Sequence, residues 1–201
     1  MSQAVPVHRR TIEIETRQAD DLLIAQARLR DVRPWHPDPD RVLLHDMELV
    51  LHVRAADLTI VAVESRMNAF PHTECPLIRP SFDRLVGLSV RRGFTRALRE
   101  TVSGVHGCSH LHELARAAGP AIIQATLSSA DARRRGLTAD AETPVRAERS
   151  GPVVSGQPAS ALTGSCHIWA PDGIAIRKLA AGWRPGFAPY PAPPLTAYEP
   201  S

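Results

Sequence analysis

The sequence predicts an α+β fold, an antiparallel meander sheet with helices packed on one of its faces. Three patterns predict it. The first third of the chain alternates apolar and polar residues, the period of half-buried strands. The apolar spacing lengthens to a helical period after residue 82. Strands first and helices later is the order of α+β rather than α/β proteins.

The elements follow in turn. Residues 11–16 (TIEIET) place Ile12 and Ile14 on one face of a first strand. Residues 23–29 put Leu23, Ala25, Ala27 and Leu29 on one side of a second. Residues 31–40, with three prolines, read as a loop. Residues 42–53 form the clearest strand. One face carries Leu43, His45, Met47, Leu49, Leu51 and Val53, and the other carries Asp46 and Glu48, which are expected to be solvated. Residues 58–63 pair back as a hairpin.

The helical part begins at residues 82–102, read as one or two helices interrupted at Gly87 and Gly93. A helix over 108–118 follows, with Leu111, Leu114, Ala115 and Ala118 on one stripe. Gly119 and Pro120 are expected to end it and start another over 121–127. Residues 165–169 and 174–178, around the turn Pro171-Asp172-Gly173, read as a late hairpin that returns to the sheet. The organisation expected is a single domain over 1–182, with a long loop or insert at 128–164. A proline-rich extended tail covers 183–201, where six prolines fall.

Composition narrows the function classes. At 201 residues and 43% hydrophobic, the chain can build a core without disulfides. Its net charge of +3 is spread along the chain, and the 4% aromatic content supplies no base-stacking platform, so no nucleic-acid partner is expected. No apolar run reaches the roughly 18 residues of a membrane span. The first residues lack a secretory pattern, which makes the cytoplasm the expected compartment. Three cysteines, an odd number, argue against a disulfide framework.

The densest chemistry lies at His106-Gly107-Cys108-Ser109-His110-Leu111-His112-Glu113, three histidines and a cysteine within seven residues. A helix starting near Cys108 places its sulfur among free backbone amides, a setting that favours negative charge. Cys75 sits in the loop after the hairpin, and Cys166 at the start of the late hairpin. His45 stands among apolar neighbours on its strand face, where an imidazole needs a hydrogen bond or a metal. The plainer readings are ordinary half-buried cysteines, a satisfied core histidine, and a polar helix face for the other histidines. Phosphate-loop, dinucleotide, serine-elbow and HExxH motifs are all missing. A Cys-His nucleophile pair of Cys108 with His112 or His45 has no evident third group to orient it.

The succession His45-Asp46-Met47, Cys75, Gly107-Cys108-Ser109-His110-Leu111-His112-Glu113-Leu114 and Ser165-Cys166-His167 resembles a bacterial family of unknown function. Its members carry an HDM strand, a GCxHLxEL helix and a late cysteine. The resemblance covers residues 9–182. It implies that Cys75, Cys108, Cys166, His45 and His110 form one constellation, and it implies no reaction. A fainter likeness is to iron–sulfur scaffold proteins of the NifU and SufE type, in the order of the ligand-bearing segments.

Three thiolates and a histidine are a zinc donor set. The expected centre is zinc held by Cys75, Cys108, Cys166 and either His45 or His110. With an open position it would serve metal-assisted hydrolysis, isomerisation or lyase chemistry on a small organic acid or acyl substrate, with Glu113 or His112 as acid or base. The alternatives are an iron–sulfur or sulfur-transfer scaffold and a binding or assembly module with a structural metal.

Overall fold

The computed structural model describes residues 4–134, 163–164, 168–183 and 194–198, and of residues 130–134 the backbone alone. The chain divides into two compact units, Met1–Ala125 and Thr126–Ser201.

The first unit carries the sheet. Its strands are β1 (Arg9–Ala19), β2 (Leu22–Val32), β3 (Leu43–Arg54) and β4 (Ile60–Ala69). They lie in sequence order and every pair is antiparallel, the predicted meander. Each strand is longer than its alternating core. β2 in particular runs through Asp31 to Val32, which the prolines of the following loop had obscured. Asp20, in a left-handed conformation at φ 51°, and Asp21 make the two-residue turn between β1 and β2. That turn sets the register Ile14↔Ala27, Ile12↔Leu29 and Arg10↔Asp31.

One face of the sheet is the core. Leu23, Ala25, Ala27 and Leu29 of β2 and Met47, Leu49, Leu51 and Val53 of β3 are all buried. They pack with Phe82 and Leu85, with α1 (Phe94–Val102) through Phe94, Leu98 and Val102, and with α2 (Ser109–Arg134) through Leu111, Leu114, Ala115, Ala118 and Ile122. The opposite face is charged. Asp46 lies there as read, yet it is buried rather than solvated, because the Arg28 guanidinium grips its carboxylate and Arg30 stands beside it.

Two helical expectations are corrected. Residues 75–85 form 3-10 turns, and α1 begins only after Gly93, whose φ of 94° suits glycine. Gly119 and Pro120 do not end a helix, since α2 runs through both. Proline forfeits one backbone hydrogen bond, but Ala118 and Ile122 continue the buried stripe, so packing holds the helix across the gap. At Gly119 a Cβ would approach Phe94 to 2.9 Å, so the absent side chain makes room for that ring.

In the second unit, residues 174–178 are not a strand. They belong to a short helix, α3 (Ile174–Ala180), which begins after Gly173. The expected strand rested on the turn Pro171-Asp172-Gly173, whereas the Ala, Leu, Arg and Lys that follow all favour helix. Residues 165–167, the other arm of the expected hairpin, lie outside the described residues, as do most of 128–164 and of the tail. Among the described residues no helix is long and apolar enough to cross a membrane.

Candidate functional site

The apolar rows of the core face end in a polar rung. Continue Leu23-Ala25-Ala27-Leu29 by two residues and the next inward position of β2 is Asp31. On β1 the residue two before Ile12 is Arg10, and on β3 the residue two before Met47 is His45. The register sets Arg10 opposite Asp31, and Asp31 opposite His45. The sheet thus presents an arginine, a carboxylate and an imidazole side by side at one end of its buried face.

Asp31 is 1% exposed and is the hub. The Arg10 guanidinium donates from Nε to Oδ1 at 2.8 Å and from Nη2 to Oδ2 at 2.7 Å. His8 brings Nε2 to 3.2 Å from Oδ1. His45 Nδ1 lies 3.0 Å from Oδ2. The N-terminal turn of α2 completes the group, with His110 Nε2 3.5 Å from the same Oδ2. The two imidazole rings lie 3.9 Å apart, tilted by 35°.

The electrostatics follow from this crowding. Burial alone would raise the Asp31 pKa, but the hydrogen bonds from Arg10 and His45 and the nearby positive charge outweigh it and bring it down to about 2. His110 is held below the ordinary value of an imidazole by burial first and then by His45 and Arg10. It is therefore neutral at neutral pH, the form that can ligate a metal.

The Asp31 shift makes a stability prediction. A carboxyl whose folded pKa is depressed stabilises the fold above its unfolded pKa and loses that contribution as pH falls through the folded one. About 2 kcal/mol is expected to disappear between roughly pH 4 and pH 2. Urea unfolding of metal-free protein across that range checks it. Asp31→Asn should flatten the dependence, and an unchanged slope would refute the assignment.

The other predicted residues are placed as follows. Glu113 accepts from Arg10 Nη1 at 2.6 Å and has Arg116 at 3.9 Å, so it steadies the arginine. His112 is engaged by the backbone, with Nδ1 3.3 Å from the Val102 carbonyl oxygen, and ties α2 to the end of α1. Cys108 precedes α2, and its carbonyl accepts from the His112 amide. Its sulfur lies 3.8 Å from His110 Nδ1. Cys75 is a half-buried free thiol at the start of the 3-10 turns. Cys166 lies outside the described residues.

Among the described residues one group of three side chains brings its donor atoms within 4.8 Å of one another: Asp31, His45 and His110. Neither Cys75 nor Cys108 belongs to it. Asp31 and Arg10 escaped the sequence reading, although strand parity pointed to both.

The sequence profile of DUF2889, described as a protein of unknown function, matches residues 8–124. The chain belongs to this family. The DUF2889 match begins at His8 and takes in Arg10, Asp31, His45, Cys75, Cys108 and His110, and it stops well short of Cys166. No curated protein and no solved structure matches this DUF2889 chain.

Proposed function

We propose that this chain binds a divalent metal ion, zinc in the first instance, between Asp31 Oδ2, His45 Nδ1 and His110 Nε2. One observation carries the reading. Asp31 Oδ2 offers two lone-pair directions, and Arg10 takes one. Two ring nitrogens then crowd the other, at 3.0 and 3.5 Å. At 3.5 Å, His110 Nε2 stands beyond the usual length of a hydrogen bond to Oδ2. A cation between the three atoms would satisfy all of them at once.

The two distances from Asp31 Oδ2 are compatible with zinc. Bonds of about 2.0–2.1 Å put tetrahedral ligand atoms roughly 3.3 Å apart, between the two distances observed. Arg10 can stay where it is, because it uses the remaining lone pair and fixes the carboxylate. Three protein ligands, two imidazoles and one carboxylate, leave a position for water or substrate, the pattern of catalytic rather than structural zinc. The ion would supply a polarised carbonyl or an activated water. Metal-assisted hydrolysis, isomerisation or lyase chemistry on a small organic acid or acyl compound remains the proposed reaction class.

The donor set differs from the thiolate-rich one expected from sequence. Nitrogen and oxygen donors suit zinc or iron(II) better than an iron–sulfur cluster. A second reading has an observation of its own. The 3.0 Å contact of His45 Nδ1 with Asp31 is that of an Asp–His proton-handling dyad needing no metal.

Zinc titration of metal-free protein against a chelating dye separates the two. One equivalent should bind, and His45→Ala and His110→Ala should each weaken binding by at least about 100-fold, as loss of one of three ligands implies. Absence of stoichiometric binding would discard the metal and leave the dyad.

A further inference from the structure

The environment of His110 points past the ligands themselves. An imidazole offers Nε2 to a metal only when its proton sits on Nδ1, and an acceptor at Nδ1 fixes that tautomer and the ring's direction. In this chain the group at His110 Nδ1 is the Cys108 sulfur, at 3.8 Å, within reach of a hydrogen bond to sulfur.

We infer that Cys108 is a positioning residue of the Asp31–His45–His110 centre, its sulfur accepting the Nδ1 proton of His110 and so aiming Nε2 at the ion. The inference rests on the metal reading above. It assigns the cysteine a role different from direct ligation. The two ring nitrogens of an imidazole point apart, so a sulfur on Nδ1 lies across the ring from an ion on Nε2.

The backbone around Cys108 is suited to this task. Its carbonyl closes the first turn of α2 by accepting from the His112 amide at 2.8 Å. Gly107, immediately before it, lies against the Val102 backbone so closely that no Cβ would fit. The side chain is half-buried and packs on the core cluster. The sulfur therefore has a fixed position, which a useful acceptor needs. Asp31 has the same kind of support from Arg10, and Arg10 from Glu113. Each ligand arriving from β2 and α2 is thus backed by a second group.

The test compares two substitutions of opposite character. Cys108→Val keeps the volume and apolar character and removes the acceptor. Cys108→Ser keeps an acceptor and adds polarity. If the cysteine served packing alone, valine would be the milder change. If it orients His110, serine is the milder one. Zinc affinity of the full-length chain, measured under reducing conditions, should fall about 10–100-fold in Cys108→Val, with substantial recovery in Cys108→Ser. Cobalt(II) in place of zinc should give visible bands without the near-ultraviolet charge transfer of a sulfur ligand.

Equal affinity in the valine variant and the unsubstituted chain would overturn the inference and leave the metal reading standing. So would a sulfur-to-cobalt band lost in Cys108→Ser, which would make Cys108 a ligand. Failure of the unsubstituted chain to bind zinc would sink both.

Discussion

Asp31→Ala is expected to destabilise the metal-free protein by about 3 kcal/mol, the lower end of what breaking a buried ion pair costs. The lower end applies because Arg10 is 35% exposed and keeps Glu113 as a partner. The variant strips Arg10 of two hydrogen bonds and removes the acceptor shared by His45 and His110. Four groups that are cationic or can become so, His8, Arg10, His45 and His110, are then left together, with Glu113 on Arg10 as the remaining counter-charge. Asp31→Asn, which keeps the shape, should cost less than alanine. Arg10→Met should cost less in the Asp31→Ala background than in the unsubstituted chain, because the arginine then has less to lose. Urea denaturation of the four proteins measures this coupling. A stability loss under about 0.5 kcal/mol, the range of an ordinary surface change, would show that the rung is incidental. The same alanine variant should lose zinc binding, which ties the stability of the rung to the function proposed for it.

Gly107→Ala is expected to have an effect of similar size, by a different mechanism. A Cβ at this position would lie 2.0 Å from the Val102 carbonyl oxygen and 2.6 Å from its carbon. The backbone there is extended, at φ −155°, so torsional strain has no part in it. The clash is with main chain that cannot step aside. Val102 is fully buried at the end of α1, and its carbonyl also meets the His112 ring. The junction between α1 and α2 would have to open, at a cost of about 3 kcal/mol or more, in the upper range for single substitutions. The opening would also shift the first turn of α2, which carries Cys108 and His110. Zinc affinity should therefore fall together with stability. Gly104→Ala is the contrast. Its φ is 57°, and nothing lies within 4 Å of the added Cβ. Only the left-handed backbone penalty of about 1–2 kcal/mol applies, with no effect on the metal. Thermal and urea unfolding of both variants, beside zinc titration, would settle the comparison. A Gly107→Ala protein of unchanged stability would contradict the close approach.

Two members of the Asp31–His45–His110 cluster, His45 and His110, were legible for different reasons. His45 stood out because an imidazole interrupted an apolar strand face. His110 stood out because histidines and a cysteine crowd one helix start. Asp31 was legible in principle. It falls two residues beyond Leu29 in a strict alternation, but the prolines that follow drew it into the loop. Arg10 was hidden in the same way, one alternation before Ile12. Both misses arose where a strand outlasts its apolar residues, and the end of a buried face is where a polar site has room to form. The strand expected at 174–178 failed for another reason, since it rested on the turn Pro171-Asp172-Gly173, and a turn signal does not say whether a strand or a helix follows it.

The order of strands before helices, the inward rows of β2 and β3, and the polar ends of those rows were determined by the sequence alone, because side-chain parity along a strand is a local property. The tertiary structure decided that Arg10, Asp31 and His45 form one rung and that α2 lowers His110 onto it. Register is set by a turn, and helix placement by the packing of Leu111, Leu114 and Ala118 on the sheet. Both join residues far apart in the chain, and no local period records such a meeting.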